Sequence, residues 1–166
     1  MVQYRLANPS ELQTLKSFLW QYGPNEWNYL TQEGVDEEFT LIEQRDAEVL
    51  VALNDEQIVG FAVLINGNVS PDYLSQYYCL DNMAFIGDVV VSPNHSGKGI
   101  ATQLLRNCID LAKDKGVGSV LIERHEENLA SAGMMEKAGF SVIDTFYDPK
   151  KRATGSQKSV ILSVTL

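Results

Sequence analysis

Two glycines, a lysine and several small polar residues stand immediately before a long apolar-periodic run in SPNHSGKGIATQLLRNCIDLAK, residues 92–113. A turn of this composition presents successive backbone N–H groups, and a following helix adds unsatisfied donors and the positive end of its dipole. Glycine lets phosphate oxygens approach the backbone closely, and Lys98 adds a local positive charge. The pattern indicates an anion site over residues 96–102, with diphosphate as its natural ligand.

Two familiar phosphate motifs do not fit this turn. A Walker A loop needs Ser or Thr after its lysine, whereas Gly99 follows Lys98 in this chain. A dinucleotide fingerprint needs a third glycine, where this chain has Thr102. The alternative reading is that Gly97 and Gly99 only shape a tight turn.

The segments around the turn predict the elements that would position it. The apolar stretch AFIGDVVV ahead of it predicts a buried strand over 84–92, and residues 97–115 predict a helix with one apolar stripe. A second buried strand follows over 118–123. A strand, a helix and a strand in this order predict a parallel pair joined by a right-handed crossover.

The rest of the chain favours antiparallel strands and further helices. Apolar runs on both sides of Asn54-Asp55-Glu56 predict a hairpin. A helix is expected after Pro9, with Ser10 as its N-cap and an end at Gly23-Pro24. The remaining expectations are a strand at 2–7, a helical or irregular acidic segment at 25–46, a Tyr-rich loop at 66–83, a helix at 129–138 and two final antiparallel strands. The predicted fold class is α/β, with a mixed, mostly antiparallel sheet and helices on both faces.

Composition narrows the class of protein. The 166 residues suit a single domain, 45% are hydrophobic, and no apolar run approaches the length of a membrane span. No export signal is visible at the start, so we expect a cytoplasmic protein. The net charge of −9 argues against long nucleic acid and favours a cationic partner. Two cysteines, Cys79 and Cys108, support neither a disulfide framework nor a zinc site, and no metal is expected.

Two motifs together carry a family resemblance. VVVSPNHSGKGIATQLL resembles the central motif of the GNAT superfamily of acetyl-CoA-dependent N-acyltransferases, a strand followed by Arg or Gln-x-x-Gly-x-Gly or Ala and a helix. ENLASAGMMEKAGF resembles the later Asn-containing motif that ends in Gly-Phe, at the expected distance. The order of elements also matches over residues 1–166, which the resemblance makes a single acetyltransferase domain.

The resemblance implies acetyl-CoA as the cofactor and names the residues that would hold it. The pyrophosphate would rest on the turn, and the pantetheine arm would pair with the backbone of Val89 and Val91. Asn128 would contact the arm, although an N-cap for the next helix is an equal reading, and Ser131 lies one turn further on. The turn residues that this assigns to the cofactor are Ser96, Gly97, Lys98, Gly99, Ile100, Ala101 and Thr102. Ser96 replaces the family's Arg or Gln, so we expect backbone donors to dominate.

The chemistry of acyl transfer requires a base that makes the acceptor amine neutral. Asp88 is the first candidate, because an acid is unusual in so apolar a strand and because the resemblance implies an acid near the acceptor amine at this strand position. The alternative is that the Asp88 carboxylate pairs with a neighbouring Arg or a backbone donor. Glu123 and His125 are the reserves, but His125 is expected rather to bond locally, and His95 to lie exposed. Many family members carry a Tyr acid where this chain has Met135, which cannot donate a proton, so another group or water must act.

The acceptor pocket is expected from residues 20–40 and 66–83, which supply aromatic side chains and Glu26. The leading hypothesis is direct transfer of acetyl to a primary amine, on a small molecule or peptide, in a ternary complex. The alternative is an acetyl-CoA-binding regulatory or sensor module with little catalysis. A homodimer is possible in either case.

Overall fold

A single seven-stranded sheet organises the chain in the computed structural model, which describes residues 1–166. The strands are β1 (Val2–Leu6), β2 (Ala47–Asn54), β3 (Gln57–Asn66), β4 (Met83–Val91), β5 (Ser119–His125), β6 (Ser141–Tyr147) and β7 (Lys158–Thr165). Their order is β1-β2-β3-β4-β5-β7-β6, and every neighbouring pair is antiparallel except β4 and β5. The predicted mixed sheet with one parallel pair is confirmed; the two strands of that pair begin and end one or two residues from the expected limits.

Four helices cover the two faces of the sheet, as predicted. They are α1 (Leu12–Tyr22), α2 (Gln32–Glu43), α3 (Ile100–Asp114) and α4 (Leu129–Lys137). Residues of α1 and α2 pack into one apolar cluster, and residues of α3 and α4 pack into a second on the opposite face. The clusters contain 17 and 18 buried residues, so each face of the sheet has a full apolar layer.

Two local predictions have different outcomes. The hairpin is confirmed, because β2 and β3 pair up to Asn54 and Gln57 across the two-residue turn Asp55-Glu56. The N-cap at Ser10 is wrong: Ser10 lies inside a 3₁₀ turn over Pro9–Glu11. There the N–H of Asn8 donates to Glu11 Oε1 at 2.8 Å, so Asn8 starts the segment two residues earlier than expected.

A bulge interrupts β4 at the point where the strand leaves its parallel neighbour. Ala62 pairs with Val89 and Leu64 with Ile86, so two β4 residues, Gly87 and Asp88, face one residue of β3. A bulge re-aims the side chains that it contains. The parallel pairing with β5 covers only Met83–Ile86 on β4, so beyond the bulge the two strands diverge and a gap opens between them.

No helix combines the length and the apolar character that crossing a bilayer requires.

Candidate active site

The gap between β4 and β5 opens into a cavity of about 980 Å³. One end is bounded by the Gly-rich turn, the start of α3 and the start of α4; we call this the donor end. The other end is bounded by Asp88, Glu123, Arg152 and the connection between α1 and α2; we call this the acceptor end. The cavity is therefore continuous from a backbone-lined region to a carboxylate-lined one.

The Gly-rich turn adopts a conformation that leaves its outer face open. Gly97 and Gly99 have φ values of 75° and 77°, in the left-handed region that favours glycine, and a Cβ at either position would meet no atom within 4 Å. Gly99 is the N-cap of α3. The N–H groups of the first helical residues, Ile100, Ala101 and Thr102, therefore have no partner within the helix and face the same region. Backbone donors that lack a helical partner and lie beside open space fit a diphosphate.

Val89 and Val91 present their backbone groups to the gap. The N–H of Ser92 donates to Val59 O on β3 at 2.8 Å, and backbone direction alternates from one residue to the next along a strand. The N–H and C=O groups of Val89 and Val91 must then point away from β3, toward the diverging β5. This arrangement leaves a free strand edge on which an amide-rich arm could pair.

Two polar side chains of the donor end, those of Ser96 and Asn128, make hydrogen bonds within the protein. Ser96 Oγ donates to Pro93 O at 2.9 Å, so this hydroxyl is held by its own turn. Asn128 Oδ1 accepts from the Ser131 N–H at 3.2 Å, which makes Asn128 the N-cap of α4. The Asn128 amide nitrogen stays available, and both Asn128 and Ser131 line the cavity.

Met135 lines the cavity from α4 and belongs to the apolar cluster beneath it. Its side chain is buried and offers no proton. His95, expected to be exposed, is half-buried instead, with Nδ1 buried and without a hydrogen-bond partner. The donor end thus contains one imidazole nitrogen that the protein itself does not use.

Glu123 lies at the centre of a side-chain network at the acceptor end. Its side chain is 4% exposed, and Oε2 accepts from Lys151 Nζ at 2.6 Å and from the Tyr73 hydroxyl at 2.5 Å. Burial and the adjacent Glu123 charge raise the pKa of Tyr73, so the phenol stays protonated. Glu123 Oε1 is buried without a partner, which leaves one acceptor free at a residue that lines the cavity.

Asp88 packs against a second carboxyl group, that of Glu38 on α2. The bulge directs Gly87 and Asp88 toward α2, and a Cβ at Gly87 would lie 2.6 Å from Glu38 Oε2. Burial, and then the Asp88 charge, raise the pKa of Glu38 well above its usual value. Burial also raises the pKa of Asp88, against the opposing effects of its hydrogen bond with Glu38 and of the Lys151 charge. Asp88 thus has a second carboxyl as its neighbour, and it pairs with neither the arginine nor the backbone donor of the alternative interpretation.

The β6–β7 connection holds the acceptor end together around His125. The Glu127 N–H donates to His125 Nδ1 at 2.9 Å, so Nε2 carries the proton and donates to Thr154 O at 2.7 Å. Thr154 Oγ1 donates in turn to Glu26 O at 2.9 Å, and the Trp27 ring centroid lies 4.7 Å from that of His125. Both nitrogens of this buried imidazole are therefore used locally, as expected, and His125 is unavailable as a base.

The two segments expected to form the acceptor pocket contribute unequally. Residues 20–40 supply Tyr22, Glu26 and Trp27 to the cavity wall, whereas residues 66–83 supply no lining residue and act through the Tyr73 hydroxyl on Glu123. Glu38 was missed as a site residue, although a signal for it existed. It lies at helical spacing among the inward-facing residues Val35, Phe39 and Ile42, and an acid on an apolar stripe is the same signal that singled out Asp88.

A family model described as acetyltransferase (GNAT) family matches residues 12–140 of the chain. The uncharacterized N-acetyltransferase YobR of Bacillus subtilis (strain 168) is 33% identical over 73 residues, 44% of this chain and 30% of YobR. Streptothricin acetyltransferase of Streptomyces lavendulae is 28% identical over 100 residues, 60% of this chain and 47% of that protein. The chain thus matches less than half the length of either relative.

Solved structures share the whole fold at low sequence identity. An acetyltransferase of Bacillus subtilis in complex with CoA has a TM-score of 0.75 and 19% identity, over 100% of this chain and 99% of that one. The yncA protein of Salmonella typhimurium, with its cofactor acetyl-CoA, has a TM-score of 0.75 and 18% identity, over 100% of this chain and 94% of that one. At this level of identity the likeness establishes the fold.

Proposed function

Because the chain belongs to the acetyltransferase (GNAT) family, we propose that it is an N-acetyltransferase that moves acetyl from acetyl-CoA directly to a primary amine. The observation that carries the proposal is the continuous cavity, with free backbone donors at one end and buried carboxylates at the other. The two ends match the two substrates of such a reaction, an anionic donor and an amine acceptor.

At the donor end, the turn 96–102 would bind the pyrophosphate through its backbone N–H groups, with Lys98 adding charge. Val89 and Val91 would pair with the pantetheine arm, and the Asn128 amide and Ser131 would contact it beside α4. Acetyl-CoA supplies an activated acetyl thioester when bound. The side chains that line this end need only orient it, and proximity then supplies much of the rate.

At the acceptor end, Asp88 would remove a proton from the incoming ammonium, because only the neutral amine has a lone pair for attack. The amine nitrogen then bonds to the acetyl carbon, the C–S bond breaks with its electron pair going to the leaving thiolate, and the thiolate takes up the second proton that the nitrogen loses as it becomes an amide. Glu123 is already bonded to Lys151, so we assign it to holding the acceptor through its free Oε1. Buried carboxylates and the Trp27 ring favour a cationic acceptor.

The first test is isothermal titration calorimetry with acetyl-CoA on the wild type and on Gly99→Trp. The wild type is expected to bind, and the variant to lose binding, because an indole would fill the open face of the turn. Gly116→Trp is the matched control: Gly116 follows the other end of α3 with φ 81° and equally open surroundings, but lies outside the cavity. Absence of binding by the wild type would overturn the proposal.

A second candidate function is an acetyl-CoA-binding sensor module with little catalysis. The apolar Met135 and the inward-bonded Ser96 favour it, since neither assists the chemistry. A panel of primary amines, from polyamines to peptides, assayed by thiol release separates the two functions. Acetyl-CoA binding with turnover of at least one amine supports the enzyme; binding without any turnover supports the sensor.

A further inference from the structure

A pair of carboxyl groups lies where the acceptor end meets α2, and only one member of the pair lines the cavity. Asp88 lines it, whereas Glu38 sits behind Asp88, in space that exists because residue 87 is glycine. Glu38 Oε1 is buried without a hydrogen-bond partner. A buried, incompletely bonded carboxyl on an apolar helix face is costly for the fold, so it calls for a functional reason.

Packing rather than chance brings the two groups together. The β4 bulge turns Gly87 and Asp88 toward α2, and Val35 and Phe39 anchor the same face of α2 in the apolar cluster. The carboxyl of Glu38 is then held within hydrogen-bonding reach of Asp88, and no arginine neutralises either group. Two carboxylates at such proximity do not both ionise easily, so the pair retains one proton.

We propose that Glu38 and Asp88 work as one proton-sharing unit, in which Glu38 acts through Asp88 to set the basicity of the group that deprotonates the acceptor. The proton balance is as follows. Binding of an ammonium at the acceptor end displaces the shared proton to solvent; the doubly ionised pair then takes one proton from R–NH₃⁺, which leaves R–NH₂ and a singly charged pair with the proton between the two carboxyls. The pair keeps that proton until the next ammonium binds and displaces it. This inference rests on the proposed function.

The unit gives a base suited to its task. A lone exposed aspartate is too weakly basic to take a proton from an amine efficiently near neutral pH, and a base is most effective when its pKa approaches the working pH. Burial raises the pKa of both groups and the Asp88 charge raises that of Glu38, so the pair loses its last proton at a higher pH than a lone exposed aspartate would. Lys151 opposes the shift at Asp88, but its Nζ is bound to Glu123. The other charged and titratable groups of the elements packed around the pair are Lys16 with Asp36, Glu123, Tyr73 and Arg152.

Glu38→Gln tests the inference by two measurements. The first is the pH profile of kcat/KM with an amine from the panel. In the wild type, activity should rise with pH as the pair loses its last proton. In Glu38→Gln only Asp88 has to ionise, so this rise at the acidic side of the profile, the acidic limb, should move down by about one pH unit or more. Glu37→Gln, one residue away on the exposed side of α2, is the matched control and should leave the limb in place.

The second measurement is stability against pH, which needs no activity. Because the folded pKa of Glu38 lies above its unfolded value, near 4.5, the folded state binds the proton more tightly, and stability falls as pH rises through the range between the two values. Glu38→Gln removes this loss. The variant should therefore be more stable than the wild type at pH 8, with the difference shrinking to nothing near pH 4.

The two measurements separate the inference from the function on which it rests. If no amine is acetylated, the proposed function fails, while the pH dependence of stability still decides whether the pair exists. If amines are acetylated but Glu38→Gln leaves either the acidic limb or the stability difference unchanged, the inference is overturned. Carbon-13 NMR of the labelled glutamate carboxyls gives a reciprocal check: the one Glu carboxyl that titrates late in the wild type should titrate at a lower pH in Asp88→Asn, while burial still holds its pKa above the ordinary value.

Discussion

The donor end of the cavity presents mainly backbone groups, whereas the acceptor end presents mainly side chains. Most of the donor end comes from the consecutive residues 89–102, with the start of α4 beside them; the Gly-rich turn faces open space while the Ser96 side chain is bonded inward. The acceptor end consists of side chains from α2, the β4 bulge, β5, the 72–76 turn and the β6–β7 connection. A diphosphate can be bound by a short local motif, whereas deprotonating and selecting an amine requires charged groups brought together from distant parts of the chain.

The largest expected effect comes from removing the base at the acceptor end. Asp88→Asn should lower kcat/KM by roughly 10²–10⁴-fold, the contribution typical of a positioned general base, and leave the Kd for acetyl-CoA unchanged. Steady-state kinetics and calorimetry on the same protein measure both values. Asp110→Asn, on the exposed side of α3, should change neither. A parallel loss of acetyl-CoA binding in Asp88→Asn would mean that the two ends are not separable.

Stability should also depend on side chains at the acceptor end. Arg152 is 7% exposed, and its Nε donates to Ser159 Oγ at 2.9 Å, which donates to Asp148 Oδ2 at 2.8 Å. Arg152→Met keeps most of the volume but removes a charged donor, so it should lower the free energy of unfolding by about 2–3 kcal/mol. Urea denaturation measures this value. An unchanged urea midpoint would show that the hydrogen bonds from Arg152 through Ser159 to Asp148 do not stabilise the fold.

The smallest effects are expected from side chains at the donor end. Ser96→Ala should leave the Kd for acetyl-CoA within about twofold, because the hydroxyl is bonded to Pro93 O rather than directed at the ligand. Ser96→Arg restores the residue type of the family motif and should tighten binding by about two- to fivefold at low salt, an advantage that salt should screen. Calorimetry at two ionic strengths measures both variants. A large loss in Ser96→Ala would contradict the view that backbone donors dominate.

The same difference explains how much of the molecule could be predicted from its sequence. Glycine spacing and apolar periodicity are local signals, so the turn, the hairpin and the parallel β4–β5 pair were all predictable. The Asp88–Glu38 contact joins residues 50 positions apart and depends on a bulge, which shows no clear pattern in the sequence. The Tyr73–Glu123 hydrogen bond likewise depends on the position of an irregular loop, which the sequence does not determine by any local pattern. The prediction of Ser10 as the N-cap was wrong because Asn8 can cap equally well, and the sequence alone does not show which of the two residues starts the turn.

The short parallel contact between β4 and β5 also bears on how the molecule fluctuates. Within the sheet, only four residue pairs, from Met83–Ser119 to Ile86–Ile122, join strands β1–β4 to strands β5–β7. A ligand in the gap between β4 and β5 would contact both groups of strands and hold them together. Its binding would stabilise the native state by mass action. Amide hydrogen exchange should therefore slow in strands β1–β4 and in strands β5–β7 together, including strands that the ligand does not contact.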